Sequence, residues 1–365
     1  MRGNSGTLLS RHENIEVTER DLNDISSYDY DIPPHLIAQN PSPRRDGSRL
    51  MRLFKSDGAT EHRCFSELPD ILASGDLLVM NDARVFKARV KGKKIPGGAA
   101  AEIFFLSPAD GQNEWRALAR PGRKLLPGSS VLLGDGTVLK ITGRSSDGAR
   151  TVKCPDSVSP WNIFERFGSI PLPPYIKHTD APDSRYQTVY SNAEHNRSVA
   201  APTAGLHFTP ELLAKLRGRG IETAFLTLDV GIGTFRPVKT ADIREHKMHP
   251  ERCYMDETCA SAVNAAKSEG RRTIAVGTTA VRALESFAGS SGMVSAGTRD
   301  TDIFIKPGYR FKIPDALITN FHLPKSTLLM LVAAFAGRQN TMRAYAEAVT
   351  LRYRFFSFGD AMLIE

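Results

Sequence analysis

The sequence predicts an α/β domain interrupted by a small all-β unit, a barrel. Three observations carry this. From Trp161 to the C-terminus, strand, turn and helix signals alternate. Between residues 79 and 157, short β-type runs are instead separated by Gly-Gly, Pro-Gly and Asp-Gly turns. The 365 residues, 41% of them hydrophobic, suffice for two packed cores. Residues 1–78 and 158–365 are therefore expected to build the α/β domain, with 79–157 inserted as the barrel.

The elements follow in order. Residues 1–22 are polar and without clear period, and read as a loosely ordered extension. Pro33 and Pro34 open a short helix that Pro41 and Pro43 end, and Arg49 to Phe54 reads as a strand. The β unit is expected from the runs Leu77–Met80, Val85–Val90, Ala101–Leu106, Glu114–Ala119, Val131–Leu133, Thr137–Ile141 and Arg150–Val152. Thr209 caps a helix with Pro210 at its first position and Gly218 at its end. Ile221–Val230 is a strand, Asp256–Glu269 a helix and Arg272–Val276 a strand. A Gly-Thr-Thr turn then leads into helix Ala280–Phe287. Ala316–Phe321 is a strand, and Ser326 caps helix Thr327–Ala336. Tyr345–Leu351 is helical, and Phe355–Phe358 and Ala361–Ile364 are extended.

Composition bounds the function. A net charge of +8 and a pI near 9.3 suit a polyanionic partner such as RNA, though a basic protein without one would look the same. Cys64, Cys154, Cys253 and Cys259 form no CxxC pair and show no zinc or iron-sulfur spacing, so no metal is expected. The N-terminus lacks a charged-then-apolar pattern, and the longest apolar run, Thr327 to Gly337, is too short for a bilayer. A cytoplasmic protein that meets no membrane is expected.

Five segments carry candidate chemistry. In Ile274–Glu285, Gly277 turns the chain and the free N–H groups of the helix start join the Thr278 and Thr279 hydroxyls in an anion cradle. Arg282 follows one turn later; an ordinary capped turn is the plainer alternative. In Ala201–Thr209, Gly205 gives room for a ligand beside Thr203 and His207. His246, His249 and Glu251 cluster as acid/base candidates or as a solvated loop, and Pro250 argues against a helix presenting both histidines to a metal. Thr319–Ser326 ends a strand, where ligands sit in open α/β folds, so Asn320, His322 and Lys325 are lining candidates. Basic residues Arg84, Arg89, Lys91, Lys93, Arg123 and Lys124 mark either a phosphate-binding surface or lysines guarding an edge strand. A further segment, Leu228–Phe235, resembles a methyltransferase glycine turn, but Phe235 occupies the third glycine position.

These segments stand in a longer series: YDIPPHLIAQNP with RDGSRL, GDLLVMNDARV, SIPLPPYI, RYQTVYS, SVAAPTAGLHFT, the GxGTF turn, HKMHPE, IAVGTTAVRALES, TDIFIKPGYRFK, DALITNFHLPKSTLLMLVAAFAG and YRFFSFGDAMLI. On them the chain resembles, from about residue 28 to 364, the S-adenosylmethionine:tRNA ribosyltransferase-isomerases of queuosine biosynthesis. It departs where the family commonly has His at Asp229, Thr at Ala83 and Tyr at Lys306.

The resemblance implies a barrel-like sheet in the α/β domain beside the inserted β-barrel. It implies transfer and isomerisation of the ribosyl part of S-adenosylmethionine onto 7-aminomethyl-7-deazaguanine at the wobble position of tRNA, giving epoxyqueuosine-tRNA and releasing adenine and methionine. The tRNAs would be those with GUN anticodons, for Tyr, His, Asn and Asp. S-adenosylmethionine is then a substrate, with no permanently bound cofactor, and a monomer is expected. Within that chemistry Glu251 or His249 is the expected base and His207 the proton donor to adenine or a second base. Thr278, Thr279 and Arg282, at the Gly277 turn, would hold the methionine carboxylate. Thr203, Asn320, His322 and Lys325 would line the same pocket, and Arg354 and Asp360 would touch substrate or form a structural pair. An RNA methyltransferase and a non-catalytic RNA-binding protein are the competing readings.

Overall fold

A computed structural model describes residues 22–231, 233, 238 and 240–365. All but the last residue of the expected 1–22 extension lies outside the described residues, as do Ile232, Thr234 and Phe235 of the glycine turn.

Strands β1 (Arg49–Leu53), β2 (Thr60–Cys64) and β3 (Leu77–Asn81) come first. Then follow β4 (Arg89–Ile95), β5 (Ala100–Pro108), β6 (Glu114–Arg120), β7 (Ser130–Leu132), β8 (Val138–Arg144), β9 (Arg150–Lys153) and β10 (Gly168–Ser169). The last are β11 (Glu222–Leu228), β12 (Glu251–Met255), β13 (Thr273–Val276), β14 (Gly297–Thr301), β15 (Ala316–Asn320) and β16 (Ala361–Ile364).

Nine strands form one mixed sheet in the order β14-β12-β11-β3-β13-β15-β16-β1-β2. At its centre β11, β3, β13 and β15 run parallel, as strands with both faces covered do. β3 shows why. All five of its residues are buried; Leu77 and Val79 face one apolar cluster, Leu78 and Met80 the other. The second cluster lies under α1 (Leu68–Ile71) and α3 (Pro210–Gly218), which follows α2 (Pro160–Phe167). The first lies under α4 (Glu257–Ser268), α5 (Thr278–Phe287), α6 (Thr327–Ala336) and α7 (Arg338–Thr350). The expected caps are in place: Thr209 Oγ1 accepts from Leu212 N at 3.0 Å and Ser326 Oγ from Leu329 N at 3.2 Å.

The second sheet holds β10, β4, β5, β6, β9, β8 and β7 in that order, and its last six strands close into a barrel because β4 also pairs with β7. Its interior is filled by Val90, Ile103, Phe105, Trp115, Leu139 and Val152, against which α2 packs Ile163 and Phe164. Closure removes the edge on β4, so its lysines do not guard one.

Several expectations need correction. Leu77–Met80, read as the first run of the β unit, is one of the inner strands of the large sheet, because its continuous apolar run is covered on both faces. Val85–Val90 is shifted: pairing begins only at Arg89. The large sheet is open in its hydrogen-bond order, with β14 and β2 at its ends, not barrel-like. The last helix begins at Arg338, seven residues before Tyr345. Phe355–Phe358 is not a strand, since Phe356 turns the chain at φ 69°. Strands β2, β12 and β14 and helix α2 were not foreseen. Among the described residues no helix is long and apolar enough to cross a membrane.

Candidate active site

Two adjoining clefts open at the carboxyl ends of the central strands. The first, about 660 Å³, is lined by Thr203, Gly277, Thr278, Thr279, Asn320 and His322, so six of the expected site residues do meet. β13 ends at Gly277, whose φ of 93° a side-chain-bearing residue adopts only with strain, and α5 starts at once behind it. The N-terminal N–H groups of α5 thus open into the cleft, and the Thr279 hydroxyl beside them is buried without a hydrogen-bond partner.

Asn320 closes the cleft floor. Its Oδ1 accepts from Thr203 Oγ1 at 2.8 Å, and its Nδ2 lies 3.1 Å from His207 Nε2. On its far side His207 Nδ1 meets Ser48 Oγ at 2.7 Å, and the ring stacks on Phe65. His207 therefore stands behind the cleft, not in it. Burial, then Arg354 and Arg45, push its pKa down to about 3. A neutral imidazole behind the cleft, with both nitrogens engaged, gives no support to the expected role of proton donor to adenine or second base; its contacts orient Asn320. His322 lines the cleft but is likewise held neutral by burial, its pKa down to about 3, with Nε2 at 2.8 Å from Thr319 Oγ1. Lys325 turns away to Asp29, 2.6 Å from its Oδ2, and does not line the cleft.

Gly205 serves packing, not ligand approach. A Cβ there would stand 1.9 Å from Tyr190 Oη and 2.8 Å from Thr188 Cγ2. Gly205→Ala is expected to destabilise the protein by about 1–3 kcal/mol, as overpacking of a buried position does. Chemical denaturation measures it; an unchanged midpoint would mean that the loop relaxes freely.

The second cleft, about 1370 Å³, lies between barrel residues such as Arg116 and Asp147 and large-sheet residues including Asp229, His249 and Glu251. Val230 lines both clefts, so the two are neighbours. Most charges here are paired. Arg116 bonds Asp147, and Arg252 Nε lies 3.1 Å from Asp300 Oδ1. Glu251 Oε2 binds Arg282, both side chains being buried, while Oε1 accepts from Gly231 N at 2.8 Å. Glu251, expected as a base, thus has both oxygens engaged. Arg282, expected on a carboxylate, points to Glu251 instead and does not line the first cleft. Its Nε and Nη2 are buried without partners.

Asp229 differs. Its Oδ1 is buried with no hydrogen-bond partner among the described residues, and burial pushes its pKa up to about 6 against the opposing pull of Arg197, His195 and Arg252; Asp82 adds to the rise. Nearby, Asp82 accepts from Thr227 Oγ1 at 2.6 Å and lies 3.1 Å from His195 Nδ1. Sequence reasoning noticed Asp229 only as a departure and missed Asp82, His195 and Thr227. Their grouping joins β11 to residues more than thirty positions away, which no local spacing reveals.

The barrel wall continues the second cleft. Leu118 lines it and also a third of about 1490 Å³, together with Arg89 and Arg120. Arg89 lies over Phe104 and 3.7 Å from Glu102. Lys91 and Lys93 alternate along β4 and are exposed, as are Arg84, Arg123 and Lys124.

A helix N-terminus opening at the strand ends of an α/β scaffold, beside a basic barrel, is an arrangement that suits a charged small molecule and a polyanion. Comparison with known proteins makes this specific: the family model of the queuosine biosynthesis proteins matches residues 25–364, and the chain belongs to that family. A protein of Symbiobacterium thermophilum named S-adenosylmethionine:tRNA ribosyltransferase-isomerase is 51% identical over 341 residues, covering 93% of this chain and 99% of the relative. One of the same name from Heliobacterium modesticaldum is 52% identical over 346 residues, again covering 93% and 99%. Among solved structures, the S-adenosylmethionine tRNA ribosyltransferase of Thermotoga maritima is 38% identical, covers 93% of this chain and 100% of its own, and superposes with a TM-score of 0.53.

Proposed function

We propose that this chain is an S-adenosylmethionine:tRNA ribosyltransferase-isomerase acting on 7-aminomethyl-7-deazaguanine at the wobble position of GUN-anticodon tRNAs. Family membership and the shared name of relatives near 50% identity support the activity. The observation that carries the reading of the site is the meeting of two clefts at Val230, one ending in a hydroxyl at a helix N-terminus, the other in a carboxylate oxygen, each without a hydrogen-bond partner among the described residues.

In this reading the methionine carboxylate of S-adenosylmethionine lies against the α5 N-terminus and Thr279, where N–H groups and the helix dipole favour negative charge. Thr203, Asn320 and His322 line the same cleft. The modified base enters from the barrel side, and its aminomethyl group, an ammonium in water, meets Asp229. Ion pairing binds it, and transfer of its proton to Asp229 frees the amine to attack. The sulfonium acidifies the adjacent 5′ carbon, and a base removes a proton there. His249 is the group in the second cleft left for that step, since Glu251 is paired with Arg282. The 5′ carbanion expels the C4′ ring oxygen to give a vinyl sulfonium; that oxygen's electrons form an aldehyde at C1′ as adenine leaves with a proton. The amine adds to C4′ and loses a proton, and the regenerated 5′ carbanion bonds to the C1′ aldehyde, whose alkoxide closes the epoxide and expels methionine. Arg84, Arg89, Lys91, Lys93, Arg123 and Lys124 would hold the RNA backbone along the barrel, which we read as an inserted domain spanning roughly residues 82–169, since β3 to Asn81 belongs to the large sheet and β10 pairs with β4.

Mass spectrometry of tRNA carrying 7-aminomethyl-7-deazaguanine, incubated with the protein and S-adenosylmethionine, tests this. A ribosyl-sized gain with release of adenine is expected. A methyl-sized gain would instead mean a methyltransferase, and no gain a binding protein.

A further inference from the structure

On the far side of His207 from the first cleft is a small pocket, partly open to solvent. Its wall brings together Arg45, Arg185 and Arg354, from three segments distant in sequence, with Ser42 and Ser48. Ser357 lines both this cavity and the first cleft, so one residue stands between them.

Arg45 and Arg185 are held by carbonyls, which orient them without neutralising them, while Arg354 also faces a carboxylate. Arg45 donates to Leu206 O at 3.1 Å and Ser184 O at 2.9 Å. Arg185 donates to Pro43 O at 3.3 Å and Ser42 O at 2.6 Å, and its Nε is buried with no partner. Arg354 Nη1 is 3.4 Å from Asn40 O. The carboxylate at hand is Asp360. It accepts from the backbone N–H groups of Arg49 at 3.1 Å and Arg354 at 2.8 Å, and lies 3.4 Å from Arg354 Nη2. Asp46 is turned to Arg44. Three cations therefore face one carboxylate already engaged by two amides. The strain is visible in the neighbours: burial and then the charge of Arg185 lower the pKa of Arg45, and Arg354 and Arg45 help keep His207 neutral. Like charges gathered around a cavity with donors to spare are stabilised by an anion, and guanidinium forks fit the oxygens of a phosphate.

We infer that this pocket, which adjoins the first cleft, binds a backbone phosphate of the RNA substrate. The inference rests on the function proposed above. An oxyanion could also be the carboxylate of S-adenosylmethionine, but the function proposed above places that group at Thr279, and the basic residues given to the RNA backbone lie on the barrel, Arg89 in the third cleft, away from this pocket. The chain Ser48–His207–Asn320–Thr203 runs from this cavity to the first cleft, so the anion and the small substrate would share one hydrogen-bonded support.

The test uses the wild-type protein and an anticodon stem-loop RNA carrying 7-aminomethyl-7-deazaguanine, with each phosphate in turn replaced by an uncharged methylphosphonate. Turnover of the unsubstituted RNA is measured first; its absence would count against the proposed function, while the binding scan still reads this inference. One linkage beside the wobble residue is expected to weaken binding about tenfold. The same replacement should cost Arg45→Gln or Arg185→Gln protein little. In those variants the dependence of log K on log salt should fall by about one, with affinity for S-adenosylmethionine unchanged. If no linkage is sensitive in the wild type, or if the variants lose affinity for S-adenosylmethionine and keep it for RNA, the phosphate site is refuted.

Discussion

Asp229→Asn is expected to melt at a higher temperature than the wild type above pH 7 and to turn over about 100-fold more slowly or worse, the range for loss of a positioned acid/base group. The two effects have one origin. Burial against the barrel raises the Asp229 pKa to about 6 from 3.8. The folded state therefore holds a proton that the unfolded chain has lost between about pH 4 and pH 6. That contribution is complete below the unfolded value and disappears as pH rises through about 6. At pH 7.5 the ionised carboxylate is a net cost of about 1–2 kcal/mol, after allowance for partial solvent access. Asparagine removes the cost, so the difference in melting temperature should shrink toward zero as pH falls below 4. A carboxylate kept under strain beside a cleft is what a stability–activity compromise looks like. Asp229→His should retain turnover, because an imidazole titrates in the same range. If Asp229→Asn is neither more stable nor slower, Asp229 faces no substrate amine.

Glu251→Gln is expected to lose about 3 kcal/mol of stability, the largest single-site effect foreseen here. The substitution leaves the Arg282 guanidinium buried with its counter-charge gone, and two of its nitrogens already lack partners. Combining it with Arg282→Met should restore much of the loss, since a buried pair is replaced by apolar atoms more cheaply than it is broken. Urea unfolding of the two single variants and the double variant gives the coupling directly. Additive losses would mean that the pair is not coupled. This result also guards the kinetics: a slow Glu251→Gln enzyme would report a disturbed β12–α5 contact rather than a missing base.

What was legible in the sequence was local. The α6 boundaries follow from an apolar run after Ser326 and before Gly337, and the α5 turn from a strand, a glycine and two threonines in succession. The barrel was legible because turn residues recur between short alternating runs, as in β5 and β6. What was lost depends on pairs far apart in the chain. His207 reads as an acid until Ser48 and Phe65 close around it, and Glu251 as a base until Arg282 reaches it. β12 alternates buried and exposed residues, yet it begins inside His246–Glu251, whose titratable groups read as a loop. Asp229 stood out by identity alone, and its perturbation arises only when another part of the chain takes away its water.

The most direct test of the site is the ratio of affinities for S-adenosylmethionine and its decarboxylated analogue, measured by calorimetry in the wild type and in Thr279→Val. The wild type should favour the intact compound by about tenfold or more, as charge-assisted bonds at a helix N-terminus do, and Thr279→Val should narrow that gap severalfold. A wild type indifferent to the carboxylate, or a Thr279→Val protein that discriminates as well as the wild type, would contradict the placement of the substrate in the first cleft.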